Sequence, residues 1–243
     1  MDGVVYVIVG ERDVAHFHTS LRLLRHFKPD LPVVVYHDIP KERLGIMSHD
    51  VEFKKYTRIS YPHREENRNS SLWRLMALKK STFDTTLYID NDVYVVHEGF
   101  FEGFKIAEHY GICMVQNERA FIKTFEGDMG DADIGEDVLD YDKQFINEMP
   151  SYMTAMNMGV IFNHFSKWSW FLDAMIEEQK DHPSRGQAGL YRTIWKTKKM
   201  PYCLPMNWLA CGAVADIKRP LSLHVGHVPA MERFNQEFRG KLL

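Results

Sequence analysis

The 243-residue chain is poor in cysteine, with only Cys113, Cys203 and Cys211 and no CxxC spacing among them. An odd count without paired spacing argues against a disulfide framework and for buried thiols in a reducing compartment. No stretch approaches the ~20 apolar residues of a membrane span, so no integral membrane segment is expected. No polybasic block stands out, and the formal net charge is −3. Phosphate-backbone binding needs a concentrated basic face, so nucleic acid is disfavoured as a partner. Met1-Asp2-Gly3 runs straight into Val4–Val9. An acidic second residue and so short an apolar run do not make a signal peptide, and the expectation is a cytoplasmic protein. Internal repeats and linker-like stretches are also lacking.

What is present is ordinary globular material, 45% hydrophobic and 26% charged. A chain of this length buries roughly three quarters of its unfolded surface, enough for one large α/β domain over residues 1–243 without a staple. Val4 to Val9 is a β-branched run ending at Gly10, as in a buried parallel strand. His16 to Phe27 places Phe17, Leu21, Leu24 and Phe27 at helical spacing, and Leu31 to Tyr36 is a second apolar run. Strand, helix and strand in that order are the unit of a parallel sheet covered by helices. Val51 to Tyr56 reads as a third strand. Ser71 to Lys80 reads as a helix with Ser70 or Ser71 as its cap. Thr86–Ile89 and Gly159–Phe162 read as strands, and Trp168–Gln179 as a helix. Phe125 to Asp142 is strongly acidic, with Asp128, Asp131, Asp133, Glu136, Asp137, Asp140 and Asp142. It reads as a solvent-facing loop, with a lid over the active site as the alternative; its spacing is not that of an EF-hand.

The strongest chemical signal is Leu87-Tyr88-Ile89-Asp90-Asn91-Asp92-Val93-Tyr94-Val95. Two carboxylates one residue apart stand at the carboxyl end of an apolar strand, where open α/β sheets place their ligands. Such a pair can hold one hard cation through oxygen and leave other coordination positions to phosphate oxygens. Asp-x-Asp also occurs in solvated turns. Here apolar residues flank it on both sides, and carboxylates among buried strand residues need a partner or a metal.

This stretch resembles the "YLDxD" strand of GT-A glycosyltransferases, particularly the glycosyltransferase family 8-like enzymes. The helix before it matches as well, since such enzymes carry a basic residue there, in this chain Arg74. Met156-Asn157-Met158-Gly159-Val160 resembles the family's "FNxGV" segment. The resemblance implies that Asn157 contacts the donor sugar and that Gly159 lets backbone approach it. Gln187 to Tyr191 is similar to "DQxxLN", although Gly186 and Tyr191 replace its Asp and Asn. Leu221-Ser222-Leu223-His224-Val225-Gly226-His227 is similar to "HxxG", one residue tighter and without the Lys-Pro-Trp that often follows.

The resemblance implies a mixed, mostly parallel α/β sheet between helices, the GT-A fold. It implies Mn²⁺, or Mg²⁺, on Asp90, Asp92 and His224, with His224 preferred over His227 because it ends an apolar run. It places the nucleotide donor, a UDP-sugar, along Val9, Gly10, Asp13, Arg74, Asn91, Asn157, Gly159, Gln187 and His227. Asp92, Arg74 and Gln187 are the implied catalytic groups, and the acceptor is a glycan or other hydroxyl. Similarity to family 8 favours retention of anomeric configuration. Two rivals stay open: a nucleotidyltransferase that makes activated sugars, and a non-catalytic nucleotide-sugar binder. The turn after the first strand, Gly10-Glu11-Arg12-Asp13, is neither GxGxxG nor GxxxxGK[ST]. It also lacks the Gly-rich basic character of the nucleotidyltransferases. Most of the tryptophans Trp73, Trp168, Trp170, Trp195 and Trp208, which could also stack on sugars, are expected in the core, and the tail from Met231 to Leu243, with Phe234 and Phe238 a turn apart, is expected to pack onto the body.

Overall fold

The computed structural model describes residues 1–45, 51–56, 69–121, 154–181, 186–211 and 217–243. Both readings of the acidic segment 125–142, loop or lid, fall outside the described residues.

The opening stands where the apolar runs put it, as β1 (Asp2–Ile8), α1 (Val14–Phe27) and β2 (Val33–His37). One turn, α2 (Lys41–Leu44), precedes β3 (Val51–Lys55). Helix α3 (Asn69–Lys79) leads to β4 (Thr85–Ile89) and β5 (Val93–Val95). Because α3 begins at Asn69, Ser70 and Ser71 lie inside it and neither is its cap. Next come α4 (Gly103–Tyr110), β6 (Ile112–Phe121), β7 (Thr154–His164), α5 (Phe165–Asp181), α6 (Gly186–Thr197) and β8 (Tyr202–Leu204). The chain closes with β9 (Ser222–His224), α7 (Val228–Arg233), a π-helical turn over Phe234–Phe238 and α8 (Arg239–Leu242).

Seven strands form one sheet in the order β3-β2-β1-β4-β7-β6-β8. Strand β7 runs antiparallel to both β4 and β6, and the remaining pairings in this sheet are parallel. The expected mixed, mostly parallel sheet between helices is therefore present. Alternation along the strands divides the core into two layers. Val5, Val7, Tyr88 and Ile161 meet Leu72, Leu75, Phe171 and Leu190 from α3, α5 and α6. Val4, Tyr6, Leu87, Ile89 and Phe162 meet Phe17, Leu21, Leu24 and Phe104 from α1 and α4.

Strands β5 and β9 make a separate two-stranded ribbon, with Val93 opposite His224 and Val95 opposite Ser222. Tyr94, Leu223 and Val225 of this ribbon share a third cluster with Ala230 and Phe234. The tail thus packs through Phe234, whose ring meets Tyr94 edge-on at 4.8 Å. Trp73 and Trp208 are buried, Trp168 and Trp195 partly buried, and Trp170 is exposed. No described helix is long and apolar enough to cross a membrane.

Candidate active site

Strand β4 ends where Asp90 leaves the large sheet, its amide still donating to the Gly159 carbonyl at 2.8 Å. The chain turns through Asn91 and Asp92, closed by the Val93 amide on the Asp90 carbonyl at 3.0 Å, and enters the ribbon. Both carboxylates are thereby fixed between two sheets. The Asp92 carbonyl receives the Val225 amide at 2.8 Å, which draws the segment carrying His224 alongside. His224 Nε2 lies 3.2 Å from Asp92 Oδ2.

Asp90, Asp92 and His224 each offer a ligand atom, all within 4.8 Å of one another. Two carboxylates and an imidazole are a fitting set for a divalent cation such as Mn²⁺ or Mg²⁺. The surrounding backbone is cut to this arrangement. A Cβ on Gly226 would run into Asp92 Oδ2, and one on Gly159 would sit 3.1 Å from Asp90 Oδ2. The resemblance gives Gly159 the job of admitting a sugar; the geometry shows that it already makes room for Asp90. Side chains here remain accessible, Asp90 at 14% and Asp92 at 31% exposure, so a ligand can reach them.

The two carboxylates are each matched by a cation of the protein. Arg74 Nη1 from α3 donates to Asp90 Oδ2 at 3.3 Å, and the Tyr88 hydroxyl donates to Asp90 Oδ1. Burial opposes the charge on Arg74, but Asp90 and Asp92 more than offset it and hold the guanidinium protonated. Burial would likewise lower the His224 imidazole. The Asp92 carboxylate, the Cys211 thiol and Asp90 outweigh that and raise it to about 10. Burial lifts Asp92, and His224 reverses the direction, leaving its carboxyl below the usual range. Asp13 is lifted by burial and by the nearby charges of Asp92 and Asp90, against the opposing charges of Arg12 and His16. Asp13, at the start of α1, thus feels the charge of the pair.

The other expected site residues are distributed as follows. Gly10 has a left-handed φ of 72°, open space where a side chain would be, and an amide donating to Asp38 Oδ1 at 2.8 Å. Val9 is half-buried beside it at the end of β1. Asn157 accepts from the Gly159 amide at 2.6 Å, next to Asp90. The Asn91 carboxamide points back into the sheet instead, donating to the Val7 carbonyl at 2.9 Å and pinning the turn to β1. Gln187 is in the first turn of α6, its side chain outside the described residues. His227 is exposed, its ring perpendicular to that of His224 at 5.0 Å.

Tyr88 and Gly226, which lie inside the quoted motifs but were given no role there, join the site, as do Asp38 and Cys211. Tyr88 was visible as the residue two before Asp90, hence on the same face of the strand. Gly226 was visible as the glycine of the "HxxG"-like segment, whereas Asp38 and Cys211 come from segments whose pairing no local pattern announces.

No protein-family model matches the sequence, and no curated protein matches it. Solved structures do. The apo form of the bifunctional glycosyltransferase WbbM is 12% identical with a TM-score of 0.61, over 91% of this chain. The chain spans 45% of that protein, less than half its length. An active-site mutant of LgtC is 13% identical with a TM-score of 0.61, over 92% of this chain and 86% of its own. LgtC is also seen as a galactosyltransferase in complex with donor and acceptor sugar analogues, at 14% identity and a TM-score of 0.56, over 87% and 76%. Mouse xyloside xylosyltransferase 1 in its apo form is 11% identical with a TM-score of 0.58, over 92% and 97%. At these identities the likeness establishes architecture, and the chain has the fold of the GT-A type glycosyltransferases.

Proposed function

We propose that the protein is a metal-dependent glycosyltransferase of the family 8-like kind, working as one catalytic domain. In this reading it transfers a hexose from a UDP-sugar to a hydroxyl of a glycan or similar acceptor. The observation that carries it is the meeting of Asp90, Asp92 and His224 at the carboxyl end of β4, in a GT-A fold. The fold-level part is analogy, and the residues supply the chemistry.

Asp90, Asp92 and His224 would hold the cation. It would offset charge on the departing diphosphate. Transfer breaks the bond from the anomeric carbon to the β-phosphate oxygen and makes one to the acceptor oxygen, whose proton passes to the departing diphosphate. Arg74, partly buried beside Asp90, is placed to bind phosphate or sugar oxygens as a fixed cation. The exposed ring of His227 would serve the diphosphate where the missing Lys-Pro-Trp leaves no lysine. Asn157 and Gln187 would orient the sugar, and the end of β1, with Val9, Gly10 and Asp13, would take the base and ribose. Asn91 would act on the donor only through the turn it braces.

The single left-handed Gly10 over Asp38 gives no support to a nucleotidyltransferase, whose corresponding turn is Gly-rich and basic. Calorimetric titration of UDP with and without Mn²⁺, into the wild type and Asp92→Asn, tests the proposal. Manganese-dependent binding should fall by at least about tenfold in the variant. A panel of UDP-sugars then reports turnover, which separates a transferase from a silent binder. Failure of UDP, GDP and dTDP to bind under either condition would sink the reading.

A further inference from the structure

Asp90 has a partner that the functional reading leaves unused. Tyr88 precedes it by two residues on β4 and shares its face of the strand. The side chain is only 2% exposed, within the layer formed by Leu72, Leu75 and Leu78 of α3. A phenylalanine would fill that volume without burying a hydroxyl, which costs free energy unless it is bonded. The bond goes to Asp90 Oδ1, the only hydrogen-bond partner of this phenol among the described residues. Arg74 completes the arrangement from above, its guanidinium carbon 5.8 Å from the Tyr88 ring centroid while Nη1 donates to Asp90 Oδ2. Each carboxylate oxygen thus has a different donor, and those two donors also touch each other.

We propose that Tyr88 is a positioning residue for Asp90: with Arg74 over its ring, its hydroxyl fixes the carboxylate plane so that Asp90 meets a cation together with Asp92 and His224. This rests on the reading of Asp90 as a metal ligand. A carboxylate at the end of a strand, just before a turn, can otherwise rotate about χ1 and χ2. Rotation toward solvent would separate it from the other two ligands. Outer partners of this kind contribute about 10–100-fold to metal affinity in other sites.

The test is Tyr88→Phe, which keeps the ring and deletes the hydroxyl. Mn²⁺ affinity is measured by calorimetry with and without UDP, beside urea unfolding in chelator to register any general loosening. Mn²⁺ binding weakened by about tenfold, with the unfolding transition still cooperative, is the expected result. Affinity within about twofold of the wild type overturns the proposal, since an outer partner that matters moves it further. If the wild type binds no cation, the functional reading fails by itself. The crystal structure of metal-free Tyr88→Phe then decides the positioning role: Asp90 turned away from Arg74 supports it, and Asp90 unmoved overturns it.

Discussion

His224 faces Asp92 at 3.2 Å and is raised to about 10, so at neutral pH the metal-free site holds an imidazolium against the Asp92 carboxylate. Its folded-state value lies above the 6.5 of a free histidine. Its contribution to stability is thus complete below pH 6.5, declines above that, and is gone once the pH has risen through about 10. In chelator, the urea midpoint of the wild type should therefore exceed that of His224→Gln most at pH 6 and converge on it toward pH 10. A constant gap across that range would refute the assignment. Sequence reading favoured His224 over His227 because it ends an apolar run, and the geometry brings His224 to the carboxylates. It could not see Cys211 beside that ring, since the two stand thirteen positions apart in sequence. Nor could it foresee that Asn91, set between two functional carboxylates, would point the other way to the Val7 carbonyl.

Helices α5 and α6 show how an element carrying a candidate residue is held. Gly189 of α6 lies against α5, where a Cβ would press into Gln179. Arg192, with no exposed surface, pairs with Glu178 at 3.4 Å, and Lys196 reaches the same carboxylate. Removing one member of a buried ion pair leaves a desolvated charge behind, so Arg192→Leu should cost about 3 kcal/mol, read from urea unfolding. A loss under about 1 kcal/mol would mean that Lys196 alone satisfies Glu178. Because α6 begins at Gly186, its first turn and Gln187 depend on this crossing. Elements with one uninterrupted apolar pattern were legible within a few residues: β1, α1, β2 and β4. Strand β6 was not, because Ile112–Val115 is apolar but the following Gln116-Asn117-Glu118-Arg119 breaks any alternation. Strand β7 was legible as a strand but not in its direction, which periodicity does not encode. Strands of three residues, β8 and β9, are too short to carry a pattern at all.

Across the whole molecule, the fold is shared with proteins only 11–14% identical to it. Such a likeness survives because a sheet needs apolar residues of suitable size on each face rather than particular ones. The opening strand–helix–strand pointed to a parallel sheet, and the family resemblance carried by the Asp90–Asp92 strand and the segments after it implied the mixed architecture. The partition of the candidate ligands between two sheets was not readable, because it depends on β9 returning from 127 residues downstream of β5 to pair with it. That partition has a kinetic consequence. A ribbon of three residues per strand has little cohesion of its own and is expected to open locally far more often than the seven-stranded sheet. A cation joining Asp90, at the carboxyl end of the central strand β4, to His224 on the ribbon would close that local route to solvent. Amide hydrogen exchange at Leu223, His224 and Val225 should then slow on adding Mn²⁺ and UDP, while exchange in β1 and β2 stays the same. Equal rates with and without them would mean that the ribbon keeps its own time.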